Sequence, residues 1–380
     1  MIQARDFIDS ALGHGFDFFC GVPCSFLTPL IDQVIADGRT DYIAASSEGE
    51  AVAIAAGAWL AGKQTVIMCQ NSGLGNAVNP LTSLNAPFRI PTLLIVTWRG
   101  KPGLADEPQH ELMGQITPSL LNLMNIPHEP FPTDKNQLQS VLLRAQIHME
   151  KTGLPYALVM GKGDVAVGDA FNVADTHLPK PPTIIHDMGQ SGERPKRMDV
   201  LESLLTSIPK DVAVIATTGK CGRELFTLTD REQHLYQVGS MGAASAMGFG
   251  VALNTKKTVV VLDGDGAALM KLGNLATIGA YGPENMLHVI LDNGTYDSTG
   301  GQLTTSAHID FLKIADACGY QSVYNCDDVV GFSTSLKQAL NDQGPVLLNV
   351  YISTGSMKTL GRPTIKPHQV AARFKKFLNT

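Results

Sequence analysis

Short, continuous runs of apolar and β-branched residues recur along the chain, and segments with helical periodicity lie between them. Runs of this kind are typical of strands that are buried on both faces, as in a parallel sheet covered by helices. The predicted strands are residues 42–45, 65–69, 91–97, 156–160, 212–217, 258–262, 286–291 and 346–352. The predicted helices are residues 48–60, 135–150, 267–281 and 329–341. The alternation predicts an α/β fold built from doubly wound parallel sheets.

The chain has 380 residues, which is too long for one core of ordinary size, so we expect two domains. Prolines concentrate between residues 164 and 199, where the periodicity is weak. Proline-rich extended segments act as semi-rigid spacers, so this stretch is predicted to connect the domains. The predicted boundaries are a first domain at residues 1–165, a linker at 166–195 and a second domain at 196–380.

The overall charge and the cysteines exclude several classes of protein. A net charge of −6 gives no electrostatic reason to expect a nucleic-acid or membrane partner. The first residues lack the basic start and apolar stretch of a secretory signal, and no apolar run approaches membrane-spanning length. The six cysteines form no zinc-like set of pairs, so we expect reduced thiols in a cytoplasmic protein.

Polar residues follow two predicted strands of the second domain at the points where those strands end. Residues 263–266 have the sequence Asp-Gly-Asp-Gly, and Asn293 follows the next strand. In a parallel sheet both lie at the carboxyl edge, where ligands of this architecture bind. Asp and Asn oxygens, with a nearby main-chain carbonyl, suit Mg²⁺, and a helix beginning near Ala267 favours an anion.

Two other interpretations of this motif are open. A hydrophobic strand that runs into Asp-Gly-Asp also resembles the nucleophile loop of haloacid-dehalogenase-type phosphohydrolases. In that fold the strand normally opens the domain, whereas here a long stretch of α/β sequence precedes it. The other interpretation is a set of glycine turns that binds no ligand.

A carboxylate lies at the predicted start of the first helix. Residues 46–51 have the sequence Ser-Ser-Glu-Gly-Glu-Ala and lead into a helix of small residues suited to close packing. Glu48 and Glu50 are the two candidates for a functional carboxylate here. The alternative is an ordinary carboxylate that the helix dipole favours.

Together these motifs resemble those of the thiamine-diphosphate-dependent 2-oxo acid decarboxylases. That family has Gly-Asp-Gly followed about thirty residues later by Asn-Asn; here the interval from Gly264 to Asn293 is 293 − 264 = 29 residues. Asp292 stands where the family has its first Asn, but the second Asn, the family's ligand, is kept. The resemblance implies that Asp265, Asn293 and the main-chain oxygen of Thr295 bind Mg²⁺.

The resemblance also implies which residues contact the organic part of the cofactor. Glu48, chosen over Glu50 because of its interval to Gly57, is expected to bond the pyrimidine ring of thiamine diphosphate. Met241 lies where the family places the bulky residue that bends the cofactor. The residues assigned to the cofactor are Asn71, Ser72, Thr218, Gly219, Ser240, Met241, Gly266 and Ala267.

Two loops that resemble those of the family and two basic segments supply four further candidate residues. Ser25 is expected to contact the substrate carboxylate, although its hydroxyl could instead cap the loop. His110 is expected to protonate the carbon that has lost CO₂, because its pKa suits transfer near neutrality; the alternative is a surface histidine without a role. Arg99 and Arg362 are expected to hold a second anionic group, the alternative being solvated surface charge.

The chain lacks the middle domain of larger family members, and in this it resembles phosphonopyruvate and sulfopyruvate decarboxylases. We therefore expect a small anionic 2-oxo acid as the substrate, 3-phosphonopyruvate, converted to phosphonoacetaldehyde and CO₂ in phosphonate biosynthesis. The alternatives are sulfopyruvate decarboxylation, carboligation by a thiamine enzyme, a Mg²⁺-dependent phosphohydrolase and a non-catalytic binding subunit. The resemblance also implies a homo-oligomer, at least a dimer, with active sites between subunits.

Overall fold

The computed structural model describes residues 1–168, 182–189 and 193–380. The chain divides into two compact units, Met1–Leu178 and Pro179–Thr380, and each has its own parallel sheet. In the described ranges, no helix is both long enough and apolar enough to cross a membrane.

The first unit contains a six-stranded sheet in the order β2-β1-β3-β4-β6-β5, with every pair parallel. Its strands are β1 (Phe16–Gly21), β2 (Asp41–Ala44), β3 (Gln64–Gln70), β4 (Leu93–Thr97), β5 (His128–Pro130) and β6 (Tyr156–Met160). Its helices are α1 (Ala4–Gly13), α2 (Thr28–Ala36), α3 (Glu48–Leu60), α4 (Leu74–Pro80), α5 (Ala86–Phe88), α6 (Glu111–Leu123) and α7 (Lys135–Thr152).

The second unit contains a seven-stranded parallel sheet in the order β7-β14-β15-β11-β10-β8-β9 and a small antiparallel hairpin, β12-β13. Its strands are β7 (Ile184–Asp187), β8 (Ala213–Ala216), β9 (His234–Tyr236), β10 (Val259–Gly264), β11 (Met286–Asp292), β12 (Thr295–Tyr296), β13 (Gln302–Leu303), β14 (Ser322–Cys326) and β15 (Val346–Tyr351). Its helices are α8 (Arg197–Ser207), α9 (Lys220–Leu228), α10 (Ala244–Ala252), α11 (Asp265–Met270), α12 (Gly273–Tyr281), α13 (Phe311–Cys318), α14 (Val329–Ala339) and α15 (Pro367–Leu378).

The two sheets share one strand order. The first sheet has the order 2-1-3-4-6-5. The second has the same order when β8, β9, β10, β11, β14 and β15 are numbered 1 to 6, and β7 is an additional strand at its edge. The chain direction across the sheet reverses between β1 and β3 in the first unit and between β8 and β10 in the second. Ligands of doubly wound sheets bind at such reversals, beyond the carboxyl ends of the strands. The topology therefore marks one expected ligand crevice in each unit.

The central helices explain how each sheet is covered. Every residue of α3 except Trp59 is buried, and every residue of α10 is buried. Both helices are rich in alanine and glycine, and a helix that is apolar all round is typical of a core position rather than a surface. Small side chains let such helices approach a sheet closely, as at Gly248, where a β-carbon would overlap the side chain of Val261.

The predicted fold class is confirmed, and the structure corrects two details of it. The single helix predicted for residues 267–281 is wrong: α11 begins at Asp265 and ends at Met270, and α12 begins at Gly273. Part of the predicted linker belongs to the second sheet, because β7 pairs in parallel with β14. The predictions for residues 169–181 and 190–192 lie outside the described residues.

Candidate active site

Glu48 is the first residue of α3, directly after the loop that follows β2. The hydroxyl of Ser47 caps this helix by accepting a hydrogen bond from the main-chain N–H of Glu50. The Glu48 side chain is 8% exposed, and its Oε2 accepts a hydrogen bond of 2.8 Å from the amide of Asn76. A β-carbon at Gly73 would overlap Glu48 Oε1, so glycine leaves the space that this carboxylate occupies.

Glu50 has a different environment from Glu48. Its Oε2 accepts hydrogen bonds from both the main-chain N–H and the hydroxyl of Ser46, the latter at 2.6 Å. This carboxylate therefore holds the chain that enters the helix. Among the described residues, Oε1 of each carboxylate accepts no hydrogen bond, and the two differ in what holds Oε2: Asn76 for Glu48 and Ser46 for Glu50.

The loop after β3 contains the two predicted cofactor residues of the first unit. Ser72 is exposed and accepts a hydrogen bond of 2.6 Å from Gln70. Asn71 is fully buried, and its amide donates to the main-chain oxygen of Arg99 and to the hydroxyl of Thr117, both at 2.9 Å. Asn71 thus anchors the loop to the interior of the unit, whereas Ser72 lies at the surface.

The structure brings Ser25 and Arg99 together at the strand reversal of the first sheet. Ser25 follows β1 and Arg99 follows β4, and Nη1 of Arg99 donates to the Ser25 hydroxyl at 3.2 Å. Asp106 binds the rest of this guanidinium through Nε, at 2.8 Å, and through Nη2. The paired guanidinium holds the pKa of Asp106 well below its usual range. The ring of Phe26 lies 4.7 Å from the Arg99 guanidinium carbon, so Arg99 is held in one orientation.

His110 ends a short 3₁₀ turn, Pro108–His110, immediately before α6. It is 7% exposed, so the alternative of an exposed surface histidine does not apply. Its Nδ1 is buried and has no hydrogen-bond partner among the residues described. A β-carbon at Gly100, whose φ is +68°, would overlap the main-chain oxygen of His110, so this glycine closes the loop between residues 100 and 110.

One cleft in the second unit collects most of the residues predicted there. It lies at the reversal between β8 and β10, and loops that follow β8, β10 and β11 line it. The predicted residues that line this cleft are Thr218, Gly219, Met241, Asp265, Gly266, Ala267, Asn293 and Thr295. Ser240 is buried next to Met241, at a left-handed φ of 41°. Residues distant in sequence thus converge on one site.

Asp265 is 2% exposed, and burial raises its pKa, to which the neighbouring Asp292 carboxylate contributes. Burial likewise raises the pKa of Asp292. Hydroxyl groups are the side-chain donors to this pair: Thr304 donates to Asp265, and Ser306 donates to Asp292 at 2.9 Å. Within the described ranges, Asp265 has no Lys or Arg ion-pair partner. Two buried carboxylates in such surroundings favour a bound cation.

Asn293 follows β11, and hydrogen bonds at both its nitrogen and its oxygen fix the orientation of its amide. Its Nδ2 donates to Asp297 at 2.7 Å, and its Oδ1 accepts from the main-chain N–H of Thr295 at 3.1 Å. Asp297 in turn accepts from the guanidinium of Arg197 at 2.7 Å. Because the amide oxygen has two lone pairs, one remains for a cation.

The turn after β8 leads into helix α9. Gly219 is the residue before this helix, with a φ of +98° that other residues rarely adopt. The free N–H groups of a helix N-terminus suit an anion such as a diphosphate. Close packing also fixes the start of α11, because a β-carbon at Gly266 would overlap the ring of Tyr296.

Arg362 lies in a neighbouring pocket of the second unit. This pocket shares Thr218 and Gly219 with the cleft. Arg223 of α9 donates to the main-chain oxygens of Leu360 and Gly361, which holds the segment just before Arg362. Arg362 itself is exposed, so its positive charge lies at the surface of this pocket, next to the cleft.

The sequence analysis did not assign several residues that complete these arrangements. They are Asn76, Asp106, Arg197, Asp297 and Thr304. Two of them could have been predicted from their spacing in the sequence. Asp106 lies seven residues after Arg99 and Asp297 lies four residues after Asn293, so a single loop can bring each pair together. The others reach their partners only through the tertiary fold.

The residues of the cleft fit a magnesium–diphosphate group. Among the described residues, no three His, Cys, Asp or Glu side chains form a metal-binding cluster. The predicted ligand set is of another kind, with one carboxylate, one amide oxygen and one main-chain oxygen, and Mg²⁺ usually completes such sets with phosphate oxygens and water. The observation that supports this fit is the buried Asp265, which has no cationic partner in the part of the chain that the structure describes.

Comparisons with known proteins agree with this arrangement. The family model "Thiamine pyrophosphate enzyme, N-terminal TPP binding domain" matches residues 3–120, and the corresponding C-terminal TPP binding domain matches residues 218–350. Among solved structures, benzoylformate decarboxylase from Polynucleobacter necessarius superposes with a TM-score of 0.73 at 13% identity, over 94% of this chain and 100% of that chain. At that identity the likeness shows the fold.

Two curated relatives match over nearly their whole length. Phosphonopyruvate decarboxylase from Streptomyces viridochromogenes is 47% identical, over 100% of this chain and 96% of the relative. Sulfopyruvate decarboxylase from Methanosarcina acetivorans is 30% identical, over 96% of this chain and 95% of the relative. The chain therefore belongs to the thiamine pyrophosphate enzymes, in the family of the phosphonopyruvate decarboxylases.

Proposed function

We propose that this protein is a thiamine-diphosphate- and Mg²⁺-dependent carboxy-lyase that converts 3-phosphonopyruvate to phosphonoacetaldehyde and CO₂, a step of phosphonate biosynthesis. The observation that carries the proposal is the 47% identity to a phosphonopyruvate decarboxylase along the full chain. The oriented Glu48 carboxylate and the cleft around Asp265 and Asn293 support it, because each unit offers one of the two environments that the cofactor needs.

In this proposal the second unit holds the charged end of the cofactor. Asp265, the Oδ1 atom of Asn293 and the main-chain oxygen of Thr295 bind Mg²⁺. Residues Thr218 to Lys220, at the start of α9, bind the diphosphate. Met241, Gly266 and Ala267 line the cleft beside them. When bound, the cofactor supplies a carbon nucleophile and accepts the electrons that CO₂ leaves behind.

The first unit activates the cofactor and holds the substrate. Glu48 hydrogen-bonds a pyrimidine nitrogen and stabilises its protonated form. Ser25 donates to the substrate carboxylate, and Arg99, already paired with Asp106, orients that hydroxyl. His110 delivers a proton to the carbon that has lost CO₂, and its buried Nδ1 neither accepts nor donates a hydrogen bond within the described ranges.

The phosphonate group distinguishes this substrate from other 2-oxo acids. Arg99 is largely neutralised by Asp106, whereas Arg362 is exposed. We therefore assign the phosphonate to Arg362. Sulfopyruvate decarboxylation is the second candidate, favoured by the relative that is 30% identical. A sulfonate carries less charge than a phosphonate, so it gains less from a dedicated arginine.

The division of roles extends the proposal to domains and assembly. We assign residues 1–165 to a pyrimidine-type domain and 196–380 to a diphosphate-type domain, which also takes in β7, with the rest of 166–195 as the linker. We infer a homo-oligomer with active sites between subunits, since a C₂ arrangement builds two complete sites from two chains.

Cofactor dependence tests the proposed function. Protein stripped of cofactor by a chelator and gel filtration is incubated with phosphonopyruvate, with thiamine diphosphate and Mg²⁺ added singly and together. We expect CO₂ and phosphonoacetaldehyde only when both are present, and no inorganic phosphate. Phosphate release from a phosphomonoester with Mg²⁺ alone would instead support a phosphohydrolase, and turnover without thiamine diphosphate would contradict the proposal.

A further inference from the structure

Asp297 accepts hydrogen bonds from four residues through its carboxylate. It lies directly after the short strand β12 and lines the cleft of the second unit. Its carboxylate accepts from Arg197 at 2.7 Å, from Asn293 at 2.7 Å, from the Thr295 hydroxyl at 3.2 Å and from the main-chain N–H of Gly355 at 3.2 Å. Its side chain is 10% exposed and that of Arg197 is 7% exposed, so this is a desolvated ion pair.

Two of these hydrogen bonds decide which way the Asn293 amide points. A carboxylate paired with a guanidinium accepts hydrogen bonds and does not donate, so Nδ2 of Asn293 must face Asp297. The amide oxygen then faces away, where it accepts from the N–H of Thr295. Without Asp297 the amide could rotate and direct its N–H groups at the position proposed for the metal.

Arg197 fixes Asp297 from the other side. It is the first residue of α8, and its Nη1 donates to the main-chain oxygen of Gly355 at 3.2 Å and lies 3.6 Å from Glu224. Glu224 is completely buried and accepts from the N–H of Met357 at 3.0 Å. Contacts from α8, α9 and the segment after β15 therefore hold the Asp297 carboxylate in place.

We propose that Asp297 is the positioning residue of the metal site: it fixes the Asn293 amide so that Oδ1 is presented to Mg²⁺. The inference rests on the proposed function, because it assumes that Asn293 is a metal ligand. Partners of this kind, which orient a ligand without touching the metal, typically contribute ten- to hundredfold to metal affinity.

Metal affinity is measured without turnover, by titrating Mn²⁺ into protein and thiamine diphosphate and following free Mn²⁺ by electron paramagnetic resonance. Asp297→Ala removes the acceptor, so its dissociation constant for Mn²⁺ is expected to rise by roughly ten- to hundredfold. Asp297→Asn keeps an amide oxygen that can accept from Asn293, so its constant is expected to stay within about threefold of wild type. Excess Mg²⁺ is expected to restore much of the turnover of Asp297→Ala.

Asp230→Asn is the matched control. Asp230 also forms an ion pair with an arginine of the second unit, Arg373, at 2.7 Å, but it does not line the cleft. It is expected to lower thermal stability and leave Mn²⁺ affinity unchanged. If Asp297→Ala does not fold, Asp297→Ser takes its place, with the same expected loss.

Two outcomes overturn the inference, and they are distinguishable. If folded Asp297→Ala binds Mn²⁺ within twofold of wild type, Asp297 is a purely structural residue and the proposed function is untouched. If wild-type protein binds no Mn²⁺ with thiamine diphosphate, both the inference and the proposed cofactor site fail.

Discussion

The amide of Asn76 donates a hydrogen bond of 2.8 Å to Oε2 of Glu48. One carboxylate oxygen is thereby anchored, while the other lies next to Gly73, where no side chain can intrude. A carboxylate held in this way at a helix N-terminus is pre-organised to bond a ring nitrogen, because little rotational freedom remains to be lost on binding.

Glu48→Gln is expected to bind thiamine diphosphate nearly as well as wild type but to lose at least about a hundredfold in turnover. The amide keeps the shape of the side chain but cannot stabilise a protonated pyrimidine as a carboxylate does. Hydrogen–deuterium exchange at the C2 carbon of the cofactor thiazolium measures this step directly. Glu50→Gln is the control, since the hydroxyl of Ser46 donates to the Glu50 carboxylate. Wild-type exchange in Glu48→Gln, with loss in Glu50→Gln, would reverse the assignment.

Arg362→Ala is expected to raise KM for phosphonopyruvate by roughly ten- to a hundredfold, the usual size of a lost hydrogen bond to a charged group. Turnover of pyruvate, which has no phosphonate, should change little. Steady-state kinetics on both substrates separates the two effects. Lys313→Ala serves as the control, because Lys313 is a surface residue paired with Asp310. Equal losses on both substrates would argue against a phosphonate role.

The buried His234 predicts a pH-dependent stability. Burial, together with Arg231, lowers the pKa of His234 to about 4, so the folded protein binds this proton less readily than the unfolded chain. Stability is therefore present above the unfolded pKa of about 6.5 and is lost as the pH falls toward 4. Between pH 8 and pH 5 the expected loss is about 2 kcal/mol.

Thermal unfolding across that pH range checks this prediction. His234→Gln, which carries no titratable group, should flatten the pH dependence of the midpoint even if it lowers the midpoint itself. His368→Gln, at an exposed position, should leave the wild-type profile intact. The explanation fails if His234→Gln and wild type lose stability in parallel.

Mixing two inactive variants tests the proposed sharing of sites between subunits. Glu48→Gln and Asp265→Ala disable different units, so a mixed dimer would contain one site with both residues intact. Random exchange produces about half mixed dimers with one working site of two, so about a quarter of wild-type activity should return. Subunit exchange is followed by native mass spectrometry of tagged chains. No activity despite proven exchange, or an active monomer in sedimentation, would show that each site belongs to one chain.

Much of the fold was predictable where the sequence pattern is unambiguous. Strand Tyr156–Met160 and helix Glu48–Leu60 were predicted with their observed boundaries, because a five-residue apolar run and a long alanine-rich stretch each favour one structure. Strands β5 and β9 were missed because three residues give too little periodicity. The shared strand order of the two units was likewise invisible, since topology is conserved by packing and not by residue identity.

The site was predictable where function places polar residues at strand ends. Asp265 and Asn293 line one cleft because β10 and β11 are parallel neighbours. Their supporting residues were harder to find, because contacts such as Thr304 with Asp265 span 39 residues and depend on the folded loop. Sequence patterns thus identify residues proposed to touch the cofactor more readily than those that hold them in position.

The most direct test of the account is CO₂ release from equal concentrations of phosphonopyruvate, sulfopyruvate and pyruvate, with thiamine diphosphate and Mg²⁺ present. We predict that kcat/KM for phosphonopyruvate exceeds that for either other acid by at least about tenfold, which corresponds to about 1.4 kcal/mol of additional transition-state binding. Phosphonoacetaldehyde should accumulate in equal amount to the CO₂. Faster release from sulfopyruvate, or no CO₂ from any of the three, would contradict it.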